Sequence, residues 1–197
     1  MTMTLDATDR PYHHGDLAAS LRQAARAILE TEGLAALSLR SVARRAGVSH
    51  AAPYRHYASR EALLADVAVE GLAELRGEIV QAGAAPAERA DRIVLIGRAY
   101  MRFAVRHAGL LRLMFGSELP NRADFPGLAE ATAGIGEEIG RMLGDSAAGL
   151  TVWAAIHGLA ILILENVIDL GQKQAGMDVI PSRAEILLRS FTEALKE

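Results

Sequence analysis

The sequence predicts an all-α protein in two parts: an N-terminal three-helix unit built on a helix-turn-helix over residues 1–60, and a helical body over 61–197. Three observations predict it. Apolar residues recur at helical spacing along almost the whole chain, no convincing apolar/polar alternation marks a strand, and Gly and Pro stand where helices would stop. The length of 197 residues suits one or two domains. Hydrophobic residues make up 51% and aromatics 5%, so the core is made mostly of Ala and Leu, which excludes a disordered or collagen-like chain.

In chain order, Leu17, Leu21, Ala24, Ala25, Ile28 and Leu29 lie on one face of a first helix over about 16–32, capped by Asp16 and ended by Gly33. Ser38 is the N-cap of a second helix over about 39–46, closed by Gly47. Ser49 opens a third short helix to about Arg55. Ser59 caps a long amphipathic helix with Leu63, Leu64, Val67, Leu72, Leu75 and Ile79 inward. The run Ala82–Pro86 interrupts the pattern and is the best candidate boundary. Beyond it, helices are expected at about 87–107, 109–116, 124–143, 147–171 and 182–196, separated by Gly109, by Leu119-Pro120-Asn121, by Gly144-Asp145 and by Met177–Pro181.

Several function classes are excluded early. With no cysteine there is no disulfide scaffold, thiolate metal site or cysteine nucleophile, which fits a reducing cytoplasm. Residues 1–8 lack the pattern of a signal peptide. The longest apolar run, Leu150 to Leu164, contains His157 and is shorter than the roughly 20 residues that cross a bilayer, so it reads as a buried helix. The expected setting is cytoplasmic, with no membrane partner. Net charge is −3, yet residues 10–60 hold eight Arg against three acidic residues, and four of the six His. A basic head on an acidic body is the footprint expected of a nucleic-acid binder.

The segment from Ser38 to Tyr57 carries the function. Two short helices joined by a Gly-containing turn, with Ala43 at the crossing and Val42 and Val48 setting the angle, form a helix-turn-helix. On pattern alone, two helices of an ordinary bundle fit as well. The residues Ser38-Leu39-Arg40-x-Val42-Ala43-x-x-Ala46-Gly47-Val48-Ser49, Tyr54-Arg55-His56-Tyr57 and Ser59-Arg60-Glu61-x-Leu63-Leu64 resemble the N-terminal signature of TetR/AcrR-family transcriptional regulators, over about Tyr12 to Leu64.

That resemblance implies an all-helical homodimer whose first three helices bind a palindromic operator in double-stranded DNA. A more variable C-terminal domain would bind a small molecule and dimerise. Carried over by position, Ser38 and Arg40 contact phosphates, and Ser49, His50 and Ala51 face base edges. Tyr54, His56 and Tyr57 grip the backbone, and Arg60 stands where the family usually has Lys. Pro53 departs from the pattern: it lacks an N–H and disfavours helix at Ala52, so an irregular or 3₁₀ start is expected. Tyr12-His13-His14-Gly15-Asp16 admits three readings: a metal-binding pair, a minor-groove arm or a helix lead-in.

The C-terminal body has no Gly-rich phosphate loop, no metal-spaced His pair and no paired carboxylates, so neither catalysis nor a metal or cofactor is expected. It holds Tyr100, Phe103, Phe115, Phe125 and Trp153, five of the nine aromatic residues of the chain. Tyr100, Phe103 and His107 share one helical stripe, and Trp153 and His157 form a second, followed by Gly158. Trp153-x-x-x-His157-Gly158 resembles an element of a subset of these regulators. These residues are candidates for lining a ligand pocket or for plain core packing.

Gly136, Gly140 and Gly144 recur every four residues, which suggests close helix approach, room for a ligand, or a frayed helix. Wide apolar faces that include Ile156, Ala160, Leu164, Ile168, Ile186, Leu187, Phe191 and Leu195 suit a two-fold interface. The expected function is a repressor released by a small-molecule effector. A DNA-binding protein without such an effector is the alternative, and a helical enzyme lacks any acid–base pair to support it.

Overall fold

The computed structural model describes residues 17–119, 121–170 and 180–194. The expectations for Tyr12–Asp16, Pro120, residues 177–179 and Leu195 fall outside that range. The described residues form eight α-helices and no strand: α1 (Leu17–Thr31), α2 (Leu39–Arg45), α3 (Arg60–Gly83), α4 (Arg89–Arg106), α5 (Ala108–Phe115), α6 (Pro126–Leu143), α7 (Ser146–Leu164) and α8 (Ile180–Ala194).

α1 buries Leu21, Ala24, Ala25, Ile28 and Leu29, the face set by its apolar spacing. α2 begins in a reciprocal cap: the Ser41 N–H donates to Ser38 Oγ at 3.0 Å while the Ser38 N–H donates to Ser41 Oγ at 2.9 Å. Gly47 then adopts φ 70°, a left-handed turn that a side chain would resist. The third segment has the irregular 3₁₀ form that Pro53 implied and is shorter than the helix expected from Ser49. Residues 49–52 form a turn and only Pro53–Arg55 coil, as a 3₁₀ turn. Proline sits at the start of that turn, where no N–H is needed, and Ala52 keeps right-handed helical angles despite preceding it.

α3 is the spine. Its 24 residues span about 36 Å at 1.5 Å per residue. Leu63, Leu64, Val67, Leu72, Leu75 and Ile79 are all buried, as their spacing requires. It packs against α1 in its first half and against α4, α5 and α6 beyond. Asp66, Glu70, Glu74 and Glu78 follow one another at four-residue intervals. Such a like-charge stripe opposes helix formation unless it is countered. Here Arg22 meets Asp66 (3.1 Å) and Glu70 (2.9 Å), Arg26 meets Glu74, and Arg106 meets Glu78.

The break between α4 and α5 falls at His107 rather than Gly109, which lies inside α5. A Cβ at Gly109 would stand 3.1 Å from the Leu29 carbonyl oxygen, so its missing side chain serves the approach of α5 to α1. α6 ends in a left-handed Gly144 at φ 68°. α7 stops at Leu164, short of the expected 171, and the chain turns through Asn166 at φ 56°.

α7 is long and apolar enough to cross a membrane. The run was expected to be a buried helix, and the structure buries only one side. Val152, Ile156, Ala160, Ile163 and Leu164 face the core, while Leu150 is 61% and Leu162 42% exposed. Gly136, Gly140 and Gly149 let α6 and α7 meet backbone to backbone, which answers the glycine spacing on α6.

Glu138 on α6 is a buried carboxylate bonded to Arg76 of α3 at 2.9 Å and to Arg141. Burial opposes its charge, and the two guanidiniums overcome that and hold its carboxyl below the ordinary value of about 4.5. A depressed folded value stabilises the native state above the unfolded pKa, and that stability is lost as pH falls through the folded value. Glu138→Gln is therefore expected to be less stable than the parent at pH 7 and to converge on it below pH 4.5. Urea unfolding of both proteins across that range checks this; a pH-independent gap would refute it.

Candidate nucleic-acid interface and effector domain

The cap, the Gly47 turn and the apolar Val42–Ala43 underside hold α2 against α1, and the turn at 49–55 follows on the solvent side. Of the nine residues expected at DNA, Arg40, Ser49, His50, Ala51, Tyr54 and His56 are exposed, Tyr54 at 63%. Arg40, Arg44 and Arg55 are exposed as well, and no described carboxylate pairs with them, whereas Arg45 is tied to Glu32 at 3.1 Å. Unpaired arginines on one face leave their charge available to phosphate.

The other three are committed to the fold. The Ser38 hydroxyl is spent on its cap. Arg60 donates from Nε to the Leu37 carbonyl (2.7 Å) and from Nη2 to that of Leu34 (3.1 Å), which fixes the start of α3 to the loop before α2. Tyr57 turns inward, and its hydroxyl donates to Asp66 Oδ2 at 2.7 Å. Burial, then the Asp66 hydrogen bond and charge, push that phenol up to about 12, so it stays a donor. Tyr57 thus braces the head on α3 where the resemblance implied a grip on the DNA backbone. Its apolar neighbours win the ring because α1, α2 and α3 converge there.

In the body, four of the seven expected ligand residues come together. The hydroxyl of fully buried Tyr100 lies 2.7 Å from His157 Nδ1. The Phe115 ring lies 4.5 Å from His157 and 5.9 Å from Trp153, centroid to centroid. Burial pushes the Tyr100 phenol well above its usual range and the His157 imidazole below its own. A protonated phenol then donates to Nδ1 of a neutral imidazole, whose proton sits on Nε2. Trp153 stands near enough to Tyr100 to temper the burial effect slightly, but its indole N–H is buried and meets no acceptor at hydrogen-bonding geometry.

The remaining three lie elsewhere. Phe103 is fully buried and packs on His107 at 5.1 Å. His107, which follows the last residue of α4, keeps that contact with Phe103 and turns its ring nitrogens to the head: its Nδ1 lies 3.0 Å from Glu30 Oε1 of α1 and its Nε2 3.5 Å from Glu74 of α3. Phe125 is the N-cap of α6, half-buried against the core. One cleft of about 650 Å³ opens among α4, α7 and α8, lined by Arg89, Ile93, Val152 and Thr192. Another of about 660 Å³ lies between the end of α1 and α5. Neither is lined by Tyr100, Phe115, Trp153 or His157, which pack on one another, Tyr100 fully buried and the other three partly exposed.

Sequence reasoning missed the acidic stripe of α3, although its four-residue spacing was readable. It also missed Arg122, which sequence alone cannot distinguish from any surface arginine.

Two family models match this chain. Residues 21–67 match bacterial regulatory proteins of the tetR family, and residues 93–177 match the tetracyclin repressor-like C-terminal domain. The chain belongs to the TetR family. Members of this family are helix-turn-helix transcriptional regulators and not enzymes.

A TetR-family comparison with Mycobacterium tuberculosis finds the HTH-type transcriptional regulator Rv0681, 27% identical over 76% of this chain and 71% of that protein. A second regulator from that organism, Rv1816, is 31% identical over 60% of this chain, and the match spans half of that protein. Among solved structures, a Rhodococcus sp. RHA1 protein of unknown function is 29% identical with a TM-score of 0.66, over 92% of this chain and 98% of that one. The FadR regulator of Bacillus subtilis, solved with stearoyl-CoA, shares the fold at a TM-score of 0.64 and 14% identity, over 87% of this chain and 97% of that one.

Proposed function

We propose that this TetR-family regulator is a homodimeric repressor that binds a palindromic operator and is released when a small molecule enters the C-terminal body. The observation that carries the DNA-binding half is the exposed edge from Arg40 to His56, where Arg40, Arg44 and Arg55 have no carboxylate partner among the described residues while Tyr57 and Arg60 brace it from behind. Ser49, His50 and Ala51 lead that edge and are assigned to the bases, with Arg40, Tyr54 and His56 on phosphates. The division falls near residue 60, with α3 shared between the two parts.

The dimer reading rests on apolar surface that one chain leaves uncovered: Leu150 and Leu162 on α7, Val167 beyond it, and Ile186 and Leu187 on α8. Two such helices from each subunit suit a two-fold four-helix interface. A membrane is the second reading for α7 alone, but the exposed apolar residues of α8 favour a second copy. An operator-bound regulator works in the cytoplasm, beside the chromosome.

The effector reading rests on the cluster of Tyr100, Phe115, Trp153 and His157. FadR, with the same fold, has been solved with stearoyl-CoA, which supports a small-molecule ligand for a protein of this fold without naming the one used here. A ligand acts through its differential affinity for the two states, with typical couplings of about 1–3 kcal/mol. The junction at His107, Glu30 and Glu74 is where a shift of α4 and α5 would reach α1.

Selection from random DNA with the purified protein tests the first half. An enriched palindrome is expected, with half-sites about 34–36 Å apart or a multiple of that. Enrichment of a single half-site would refute the dimer, and no enrichment at all would refute the reader. His157→Ala is expected to spare operator binding and weaken release by the effector; release at the parental concentration would remove His157 from that role.

A further inference from the structure

We infer that the aromatic cluster takes an organic carboxylate with an apolar body, the carboxylate held by Arg122 and the apolar part seated among Phe115, Trp153 and His157. This rests on the reading of that cluster as the effector site. Most arginines of the body meet a carboxylate: Arg76 and Arg141 meet Glu138, Arg98 meets Glu185, and Arg112 meets Glu165. Arg122 does not. Its Nη1 donates to the Met114 carbonyl at 2.8 Å and its Nη2 to Thr132 Oγ1 at 2.9 Å, and no described residue offers it a negative charge. It is half-buried, and that desolvation acts on its cation uncompensated.

Both anchors of Arg122 lead to the cluster. Met114 immediately precedes Phe115, whose ring lies against His157 and Trp153. Thr132 lies one helical turn before Gly136, where a Cβ would come 3.3 Å from the Trp153 ring. Arg122 is therefore tied to the backbone just before Phe115 and to the turn of α6 just before the Trp153 contact. The free polar groups are donors: the buried Trp153 N–H without an acceptor, the His157 Nε2–H left over once Tyr100 occupies Nδ1, and the remaining N–H groups of Arg122.

Such a set calls for an acceptor, and the uncompensated cation calls for that acceptor to be negative. A carboxylate matches the planar guanidinium fork. An ester would satisfy the donors and leave the charge, and an amine would add a like charge. The cleft among α4, α7 and α8 lacks this signature, because its Arg89 and Asp145 already pair with each other. Phe115, Trp153 and His157 are each partly exposed, and the ligand's apolar part lies against their rings.

Trp153 is the one tryptophan in the chain, so its emission reports the site directly. The full-length protein is titrated with nonanoate, methyl nonanoate and nonylamine. Nonanoate is expected to give a saturable change at about tenfold or more lower concentration than the ester, the ratio set by a charge-assisted pair, and the amine none. Arg122→Gln should weaken nonanoate by about tenfold and leave the ester within about twofold, with Arg122→Lys intermediate because it keeps charge without the fork. Thermal unfolding identifies variants that fail to fold, and the ligand series on the parent protein stands without them.

Equal or tighter binding of the ester or amine, no saturable response to nonanoate, or unchanged nonanoate affinity in a folded Arg122→Gln would overturn the inference. The assay contains no DNA. Nonanoate that binds as expected yet leaves operator binding unchanged counts against ligand release, not against this site.

Discussion

Gly149→Ala is expected to destabilise the fold by about 3 kcal/mol or more, the upper range for overpacking a close-packed interior. The Cβ would stand 2.4 Å from the Gly140 nitrogen, 2.5 Å from its Cα and 2.6 Å from the Gly136 carbonyl oxygen. All three are backbone atoms of α6, so no rotamer change relieves the clash and the two helices must separate. Separation loosens the buried faces of both helices, Ile135 and Ile139 on α6 and Val152 and Ile156 on α7, and lifts Trp153 from Gly136. Gly77→Ala is the control: it lies in the α3 interior with nothing within 4 Å of its Cβ position, and should gain roughly 0.5–1 kcal/mol from the lost freedom of glycine. Urea unfolding of the three proteins measures both, and a Gly149→Ala loss under about 1 kcal/mol would show that the helices part easily.

The second large effect concerns DNA. Arg40→Ala is expected to weaken binding to all sequences alike and to lower the slope of log affinity against log salt by about 0.9, the signature of one lost phosphate contact. His50→Ala should instead leave the salt slope alone and relax base preference at one position of each half-site, where a mismatch costs about 1–3 kcal/mol. The two residues are exposed neighbours of one edge, so the contrast separates positioning from readout. Competition binding at several salt concentrations, with substituted operators, decides it. A slope change in His50→Ala with unaltered base preference would move that residue to the backbone.

Helix existence was legible in the residues because amphipathic spacing and capping are local. Leu21 to Leu29, Leu63 to Ile79, the Ser38 and Ser59 caps and the Gly47 turn all stand where the pattern puts them. Helix ends were less legible. α7 ends at Leu164, where Glu165 and Asn166 interrupt the apolar residues that resume at Val167 and Ile168, and α5 runs through Gly109, whose missing side chain admits Leu29. The DNA edge was readable as a motif, but whether Tyr57 faces outward depends on how α1 and α3 close around it. His107 meets Phe103 as its spacing requires, but its polar partners Glu30 and Glu74 come from helices far away in the chain and no local pattern names them.

Residue order therefore determines the secondary structure, the helix-turn-helix and the basic head, since each depends on residues within a few turns of one another. Tertiary packing alone decides the rest. It pairs the α3 acidic stripe with arginines 40 or more positions before and 28 after in the chain. It brings Tyr100 to His157 across 57 residues, and it leaves Arg122 without a carboxylate among the described residues. Charge compensation and ring contacts are set by distance in space, and no local pattern encodes which helix will supply the partner.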